Sequence, residues 1–491
     1  MIIKSSKDEF ENYLSDAANF RGTCESVLIP ENEDDVVDIL KDANRNKTRI
    51  TVSGNGTGLT GGRVPQQGNL ISTERLNKIL LIDETNLTAI VEPGVILADF
   101  QKLLTEKKLY YPPDPTETNC FIGGTIANNS SGAKSFKYGA TRNFVNGLKI
   151  ILPDGEKLSI KRGEYFSQNF ILKLKTESGK EINVELPQYK MPEVKNAAGY
   201  FTGNSIDAID LFVGSEGTLG IVTEVELKLL NAPTNILSAV IFFDSEINAL
   251  HFIDKARRLS KKNDDADKLI NALGLEFFDA KSLDFLRGDY PAIPNCSAAV
   301  WFEQELEADN NLVIDAWVDL ITEFEGDLDN SWMAADNKDR MKFKDFRHAV
   351  SYKVSEYVSS KAILKVGTDT AVPSDKFEDY YFWSKKMVND FSIPFIVYGH
   401  FGDSHMHLNM LPENETEYAT AKKIYYELCK RAVELGGTVS AEHGIGKLKR
   451  DYLLMMYGER NIKAMAAVKK TLDPNLILNI GNIFEERFLL D

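Results

Sequence analysis

Three stretches built mostly of small residues limit what this chain can fold into. They are Ser53–Gly62 (SGNGTGLTGG), Ile122–Gly132 (IGGTIANNSSG) and Leu211–Thr223 (LFVGSEGTLGIVT). They are spread over about 170 residues, with strand-like runs between them. Loops of this kind expose backbone N–H groups and can cradle a phosphate as a nest. Three of them in one α+β unit point to a single long ligand threaded through it. The alternative is a set of flexible glycine-rich turns. Gly56–Gly61 also matches G-x-G-x-x-G just after an expected strand, Thr48–Val52. A dinucleotide site of that type needs a helix to start there, so that its N-terminus meets the pyrophosphate. Gly62, Pro65 and Gly68 break any such helix, which excludes a nicotinamide-type Rossmann site.

A second cluster lies far along the chain. Three of the six histidines, His400, His405 and His407, fall in Tyr398–Asn409 (YGHFGDSHMHLN), and His443 follows beside Glu442. Residues two apart on a strand share a face, so His405, His407 and Asn409 can point the same way. His400 needs a turn to join them, and Gly402-Asp403-Ser404 supplies one. Two imidazoles, His400 and His407, with the Glu442 carboxylate can hold a divalent ion and leave positions open. The alternative is a set of polar residues on a solvated strand.

At 491 residues the chain has room for two or three domains. With 57 Lys+Arg against 73 Asp+Glu it carries a net charge of −16, which repels phosphate backbones and excludes a nucleic-acid partner. Cys24, Cys120, Cys296 and Cys429 are far apart and form no C-x-x-C. That spacing suits a reducing compartment and argues against a cluster or structural zinc on this chain. The opening MIIKSSKDEF turns charged too soon for a signal peptide, and no apolar run reaches the length of a membrane span. The expected location is cytoplasmic.

The patterning predicts a helix over 31–46, strands within Ser72–Pro93, a helix over 97–107 and a rigid Tyr111–Pro115. After Pro233 strands are expected at Ile236–Phe243, Ala298–Phe302, Leu364–Val372 and Phe395–Tyr398. Helices are expected at Glu246–Lys261, Asn311–Phe324, about Asp375–Asp390, and from about Glu415 and Lys447. This alternation suits a second sheet-plus-helices domain.

In order, GNGTGLTGG, VEPGV, PPDP with IGGTIANNSSG, KYGATRNFV and GSEGTLGIVT resemble the FAD domain of the vanillyl-alcohol oxidase (PCMH-type) flavoproteins. Within that superfamily the chain is similar to the FAD-linked D-2-hydroxy-acid dehydrogenases, over about residues 25–484. The resemblance implies an α+β fold with a PCMH-type FAD-binding domain over 1–232 and a ferredoxin-like cap over 233–436. It implies that a helical segment, 437–491, returns to the FAD domain. FAD contacts are implied for Ser53, Gly54, Asn55, Gly56, Thr57, Gly58, Leu59 and Thr60, and for Gly123, Gly124, Ser131, Gly132, Tyr138, Glu216, Gly217, Ile221 and Asn479. Several flavoproteins of the superfamily bind FAD covalently through a His or Cys, commonly in the first loop. This loop has neither, so FAD is expected to be non-covalent. Asn55 stands where the family has Gly, Ser130-Ser131 replaces a smaller pair, and Ile480 and Asn482 replace Pro and Lys.

The family pattern G-H-x-G-D-G-N-x-H-x-N is present as GHFGDSHMHLN, with Ser404 and His405 as departures. It implies zinc or manganese on His400, His407 and Glu442, substrate contact by Asn409, and His443 as the base. Arg347 is implied as the partner of a substrate carboxylate, with Lys365 a weaker candidate. His405 is expected to stand by, and Lys447 and Lys449 to lie on a solvated helix face. The implied reaction oxidises a small D-2-hydroxy acid to the 2-oxo acid, with hydride passing to flavin N5. Electrons would then leave to an external acceptor: a quinone, a cytochrome, an electron-transfer flavoprotein or an iron–sulfur subunit. Such a partner could hold the protein at a membrane surface, and a homodimer is left open. Two rivals are an alkyl-dihydroxyacetonephosphate synthase-like transferase, which HGIGKLKR resembles, and a non-catalytic flavin subunit of an electron-transfer complex. The first carries a histidine cluster where this chain has Ser440-Ala441-Glu442.

Overall fold

A computed structural model describes residues 1–262, 268–306, 311–361 and 364–490. The α+β expectation holds, with three main sheets and helices packed on them.

The first sheet orders Ile2–Lys4, Ser26–Ile29, Asn69–Ser72 and Ile50–Ser53, and its last three strands run parallel. The connecting helix Glu33–Asn46 buries Val36, Val37, Ile39, Leu40 and Ala43. Asn32 caps it by accepting the Asp35 N–H, and Glu33, Asp34 and Asp35 complement the positive end of its dipole. Ser53 ends its parallel strand and runs straight into the first glycine loop. That is the carboxyl edge of a parallel sheet, where such sheets bind ligands.

The second sheet is antiparallel: Ile79–Asp83, Thr88–Val91, Ile221–Lys228, Val145–Ile151, Lys157–Lys161. The third small-residue stretch leads into its central strand, Ile221–Lys228, where every second side chain is buried. The second stretch holds a short helix, Ile122–Ala127, which the sequence pattern does not announce.

The third sheet has eight strands and is antiparallel throughout. At its centre Ile236–Phe243, Ala298–Glu305 and Ala272–Asp279 lie side by side and are buried on both faces. Ile241, Phe243, Val300 and Phe302 join one core with Phe252 and Trp317. Val240, Phe242, Ala299 and Trp301 join another with Phe346, Val350 and Leu283. Helices therefore cover both faces, as two-sided apolar strands require. Asn337–Ser360, a helix absent from the sequence expectations, covers the second face and carries Arg347.

The strand expected at Leu364–Val372 is two short pieces, Val366–Gly367 and Thr370–Ala371. Between them Thr368 bonds through its hydroxyl to the Met406 carbonyl and the Leu408 N–H, which interrupts the ladder. The helix expected from Lys447 starts at Arg450 and bends at Gly458. Among the described residues no helix is long and apolar enough to cross a membrane.

Candidate active site

Two of the glycine stretches face each other across an open cleft. A methyl group built on Gly58 or Gly124 meets no protein atom within 4 Å, and one on Gly54 only grazes Phe121 and Gly124 at 3.9 and 4.0 Å. Gly123 and Gly132 are small for another reason: a methyl there falls 2.6 Å from Pro93 Cβ and 2.2 Å from the Asp114 carbonyl oxygen. Asn55 stitches the first loop to the Asn119 carbonyl at 2.7 Å. Ser53 is fully buried, whereas Leu59 at the loop's tip is exposed. Gly56, Thr57 and Thr60 lie along the same loop, and the Thr60 carbonyl accepts the N–H groups of Lys447 and Leu448.

Asn479 ties this loop region to the third stretch. Its Oδ1 accepts the Val52 N–H and its Nδ2 donates to the Glu216 carbonyl, each at 2.7 Å. Gly217 lies against its amide, and Ile221 is buried where the strand begins. The Glu216 carboxylate accepts the N–H groups of Ile445 and Gly446 at 2.6 and 2.7 Å, joining the third stretch to the loop after His443. Asn482 donates to the Gly62 carbonyl and accepts from Lys447, so this departure closes the first loop. The Tyr138 hydroxyl is taken by Glu305.

At the edge of the third sheet the chain turns through Phe401–Asp403, with Ser404 left-handed at φ 53°, and enters strand His405–Met410. His405, His407 and Asn409 lie on one face of it. One ring nitrogen each of His400, His405 and His407 and one Glu442 oxygen lie within 4.8 Å of one another. His400 donates from Nδ1 to Glu276 at 2.7 Å and turns Nε2 to Glu442 at 3.3 Å. His407 donates from Nδ1 to the Thr368 carbonyl at 3.3 Å and turns Nε2 to Glu442 at 3.7 Å. A rear nitrogen on an acceptor with the front nitrogen facing a carboxylate is the arrangement metal-binding histidines adopt. The donor set therefore fits a divalent cation.

The charges follow from this packing. Burial alone would raise the Glu276 carboxyl, but His400, Arg347 and Lys195 bring it down to about 2. Burial would lower His400, yet Glu276 and Glu442 raise it to about 9. Burial also opposes ionisation of Glu442, and His400 and Lys195 overcome this and hold it well below the ordinary range. Burial, then His407, pushes His405 down to about 3.

Asp369 is the pivot of the neighbouring group. It accepts from His405 Nε2 at 3.0 Å, His443 Nδ1 at 3.1 Å, Lys449 Nζ at 2.8 Å and Ser440 Oγ at 2.8 Å. It also accepts the N–H groups of Glu442 and His443. Burial works against its charge, but His443 and Lys449 hold it well below the usual carboxylate range. With Nδ1–H on Asp369, His443 carries its lone pair on Nε2, and its side chain is 30% exposed.

Arg347 is buried rather than solvated. Its guanidinium lies 3.7 Å from Glu276 and 3.9 Å from Asp114, over the Trp301 ring, and its Nε has no hydrogen-bond partner among the described residues. Asn409 is buried too, with an unpartnered Nδ2. Unpaired buried donors are uncommon and call for a ligand.

One expectation needs correction. Lys447 and Lys449 are buried, because the segment before Arg450 is an inward-turning loop rather than a helix face. Glu442 and His443 lie in a segment without helix or strand. Both N–H groups converge on Asp369, and that anchor separates their side chains. Sequence reasoning also missed Lys195, which pairs with Glu442 and reaches Asp403 at 3.7 Å. A long stretch without regular structure carries it, and long ordered loops in compact folds are commonly functional. Glu276 and Asp369 were missed as well, although Glu276 interrupts an apolar run and Asp369 is the one acid between Val366 and Val372.

Residues 251–483 match the family described as FAD linked oxidases, C-terminal domain, and residues 24–161 match an FAD binding domain. The chain is 31% identical to glycolate oxidase subunit GlcD of Bacillus subtilis, over 96% of its own length and 92% of that protein. The chain belongs to the FAD-linked oxidase family. As a member it is an FAD-dependent oxidoreductase, and the open face at Gly54, Gly58 and Gly124 fits a cofactor bound largely by backbone. D-2-hydroxyglutarate dehydrogenase of Stutzerimonas stutzeri is 30% identical, over 98% of the chain and 96% of that protein. D-lactate dehydrogenase of Anaerostipes hadrus is 28% identical, over 96% and 92%. Among solved structures, 4-ethylphenol oxidase from Gulosibacter chungangensis superposes with a TM-score of 0.69 at 19% identity, over 99% of this chain and 95% of that one. An alkyldihydroxyacetonephosphate synthase does so at 0.65 and 16%, over 97% and 81%. These two likenesses concern the fold alone.

Proposed function

We propose that the chain oxidises a small D-2-hydroxy acid, of the D-lactate, glycolate or D-2-hydroxyglutarate class, to its 2-oxo acid. In this reading residues 1–232 and 437–491 hold FAD without a covalent bond, and 233–436 form the substrate side. His400, His407 and Glu442 hold zinc or manganese. When bound, such a cation supplies a Lewis acid that lowers the hydroxyl pKa, and FAD supplies the two-electron acceptor for the α-hydrogen.

The residues do the rest. Arg347 offers a planar fork to the substrate carboxylate. Asn409 offers its unpartnered Nδ2 to a substrate oxygen. His443 takes the hydroxyl proton at Nε2, and Asp369 holds that tautomer and steadies the charge the ring acquires. Lys195 and Ser131 fix the Glu442 carboxylate. Electrons leave to an external acceptor of the kinds named above.

The observation that carries this reading is the Asp369 anchor. It presents a ligand carboxylate and a base with a free lone pair from adjacent residues. The test is anaerobic flavin reduction across a panel of D- and L-2-hydroxy acids, with metal analysis of the same sample. Bleaching by a D-acid and about one divalent ion per chain are expected. No bleaching by any acid, or equal bleaching by both enantiomers, would sink the reading and leave the transferase or passive-subunit alternatives. Acid precipitation should release all flavin into the supernatant.

A further inference from the structure

We propose that His405 is a fourth protein ligand, so that this chain holds its cation with three imidazoles and a carboxylate. The inference rests on the reading that a divalent cation binds at His400, His407 and Glu442. It goes beyond that reading by giving a task to the side chain that departs from the family pattern.

Three observations carry it. The first is position. His405 shares a strand face with His407, and its ring centroid lies 4.4 Å from that of His407 and 5.3 Å from that of His400. One of its nitrogens belongs to the set within 4.8 Å of one another. Zinc binds nitrogen and oxygen at about 2.0–2.2 Å, so four donors around one ion are about 3.4 Å apart, and the separations in this set need to shrink by at most about 1.4 Å to share it.

The second is the lone pair. Asp369 is a carboxylate that only accepts, so His405 Nε2 must carry the hydrogen that meets it at 3.0 Å. The free pair is then on Nδ1, which has no hydrogen-bond partner among the described residues in a side chain that is 0% exposed. A buried acceptor with nothing to accept is a poor end point for folding and a ready one for a metal.

The third is repetition. His400 rests on Glu276, His407 on the Thr368 carbonyl and His405 on Asp369. Each ring thus has one nitrogen tied by an acceptor; the free nitrogens of His400 and His407 face Glu442, and His405 places a nitrogen in the same small space. A His405 that only filled the core would not need this third copy of the arrangement.

On an ion that accepts six ligands, four protein donors would leave room for a hydroxyl and a carboxylate oxygen of the substrate. The test uses the purified flavoprotein loaded with zinc. X-ray absorption at the zinc edge counts imidazoles directly: three are expected in the wild type and two in His405→Asn. Asn is the residue the resembled family carries at this position. Competition with a chelator should show zinc held 10- to 100-fold more weakly by the variant. Retained FAD and an unchanged melting temperature of the metal-free variant would show that it is folded. The wild-type count stands whatever the variant does. Two imidazoles in the wild type, or wild-type affinity in His405→Asn, overturns the proposal and leaves the metal site standing. A wild type that takes up no divalent ion overturns both.

Discussion

The cleft between the glycine loops and the cluster around Asp369 solve opposite problems. The cleft is made of backbone. Gly54, Gly58 and Gly124 present bare backbone and empty space. The cluster is made of side chains, with Lys195, Glu276, Arg347, Asp369, His400, His405, His407, Glu442 and His443 drawn from six separate segments. A large cofactor can be held by many weak backbone contacts, so no single side chain there should be decisive. A reaction centre concentrates its effect in a few groups, so single substitutions there should be severe.

The largest effect should come from His443. His443→Asn is expected to keep FAD and metal but slow flavin reduction by ~10²–10⁴-fold, the loss typical of a missing general base. Glu442→Gln should instead lose metal while FAD stays bound. Stopped-flow reduction and metal content, read on the same preparations, check both. Exchanged outcomes would mean that the two roles are reversed. Arg347→Lys comes next. It keeps the charge and loses the fork, which should cost about 1.5–3 kcal/mol in kcat/KM. Wild-type kinetics would return Arg347 to a structural role beside Glu276.

The glycines should split into two groups. Gly58→Ala and Gly124→Ala fill the cleft, so they should weaken FAD retention and leave the apoprotein's melting temperature nearly unchanged. Gly132→Ala meets the Asp114 carbonyl and should cost ~1–3 kcal/mol of stability through overpacking. Thermal melts with and without FAD separate the two groups, and a common response would erase the distinction between ligand-facing and packing glycines.

The smallest effect concerns pH. Burial, then the charges of Arg347 and Lys344, pushes His348 down to about 3 from an ordinary 6.5. The unfolded chain therefore binds a proton that the folded one refuses, and stability falls as pH drops from about 6.5 toward 3. In His348→Asn that slope should flatten, as a series of melts across this window would reveal. An unchanged slope would assign the acid sensitivity elsewhere.

The two regions were not equally legible in the sequence. Backbone sites write themselves into composition, because only small residues let a chain approach a ligand, and all three stretches were readable. His400, His407 and Glu442 could be singled out by residue type. Glu276 and Asp369 could not, because an acid in ALGLEFFD or VGTDTAV shows no partner until the sheet pairs the strands. Lys447 and Lys449 were misread because HGIGKLKRDYLL looks helical before it is. The chain there is pulled inward by Glu216, Asp369 and the Thr60 carbonyl, all distant in sequence. The edge strand Gly326–Met333 is largely polar and carries little strand signal.

The clasp made by Asn479 has a consequence for how the protein is made. Its bond to Val52 spans 427 residues, and the same amide closes on Glu216. At the ~5–20 residues per second typical of synthesis, the first loop leaves the ribosome roughly 20–85 seconds before its partner exists. During that interval the Ser53–Gly62 loop lacks the residues that fix its base. Cofactor loading is therefore an event of the finished chain, and flavin fluorescence should stay unquenched by stalled chains that stop short of Asn479.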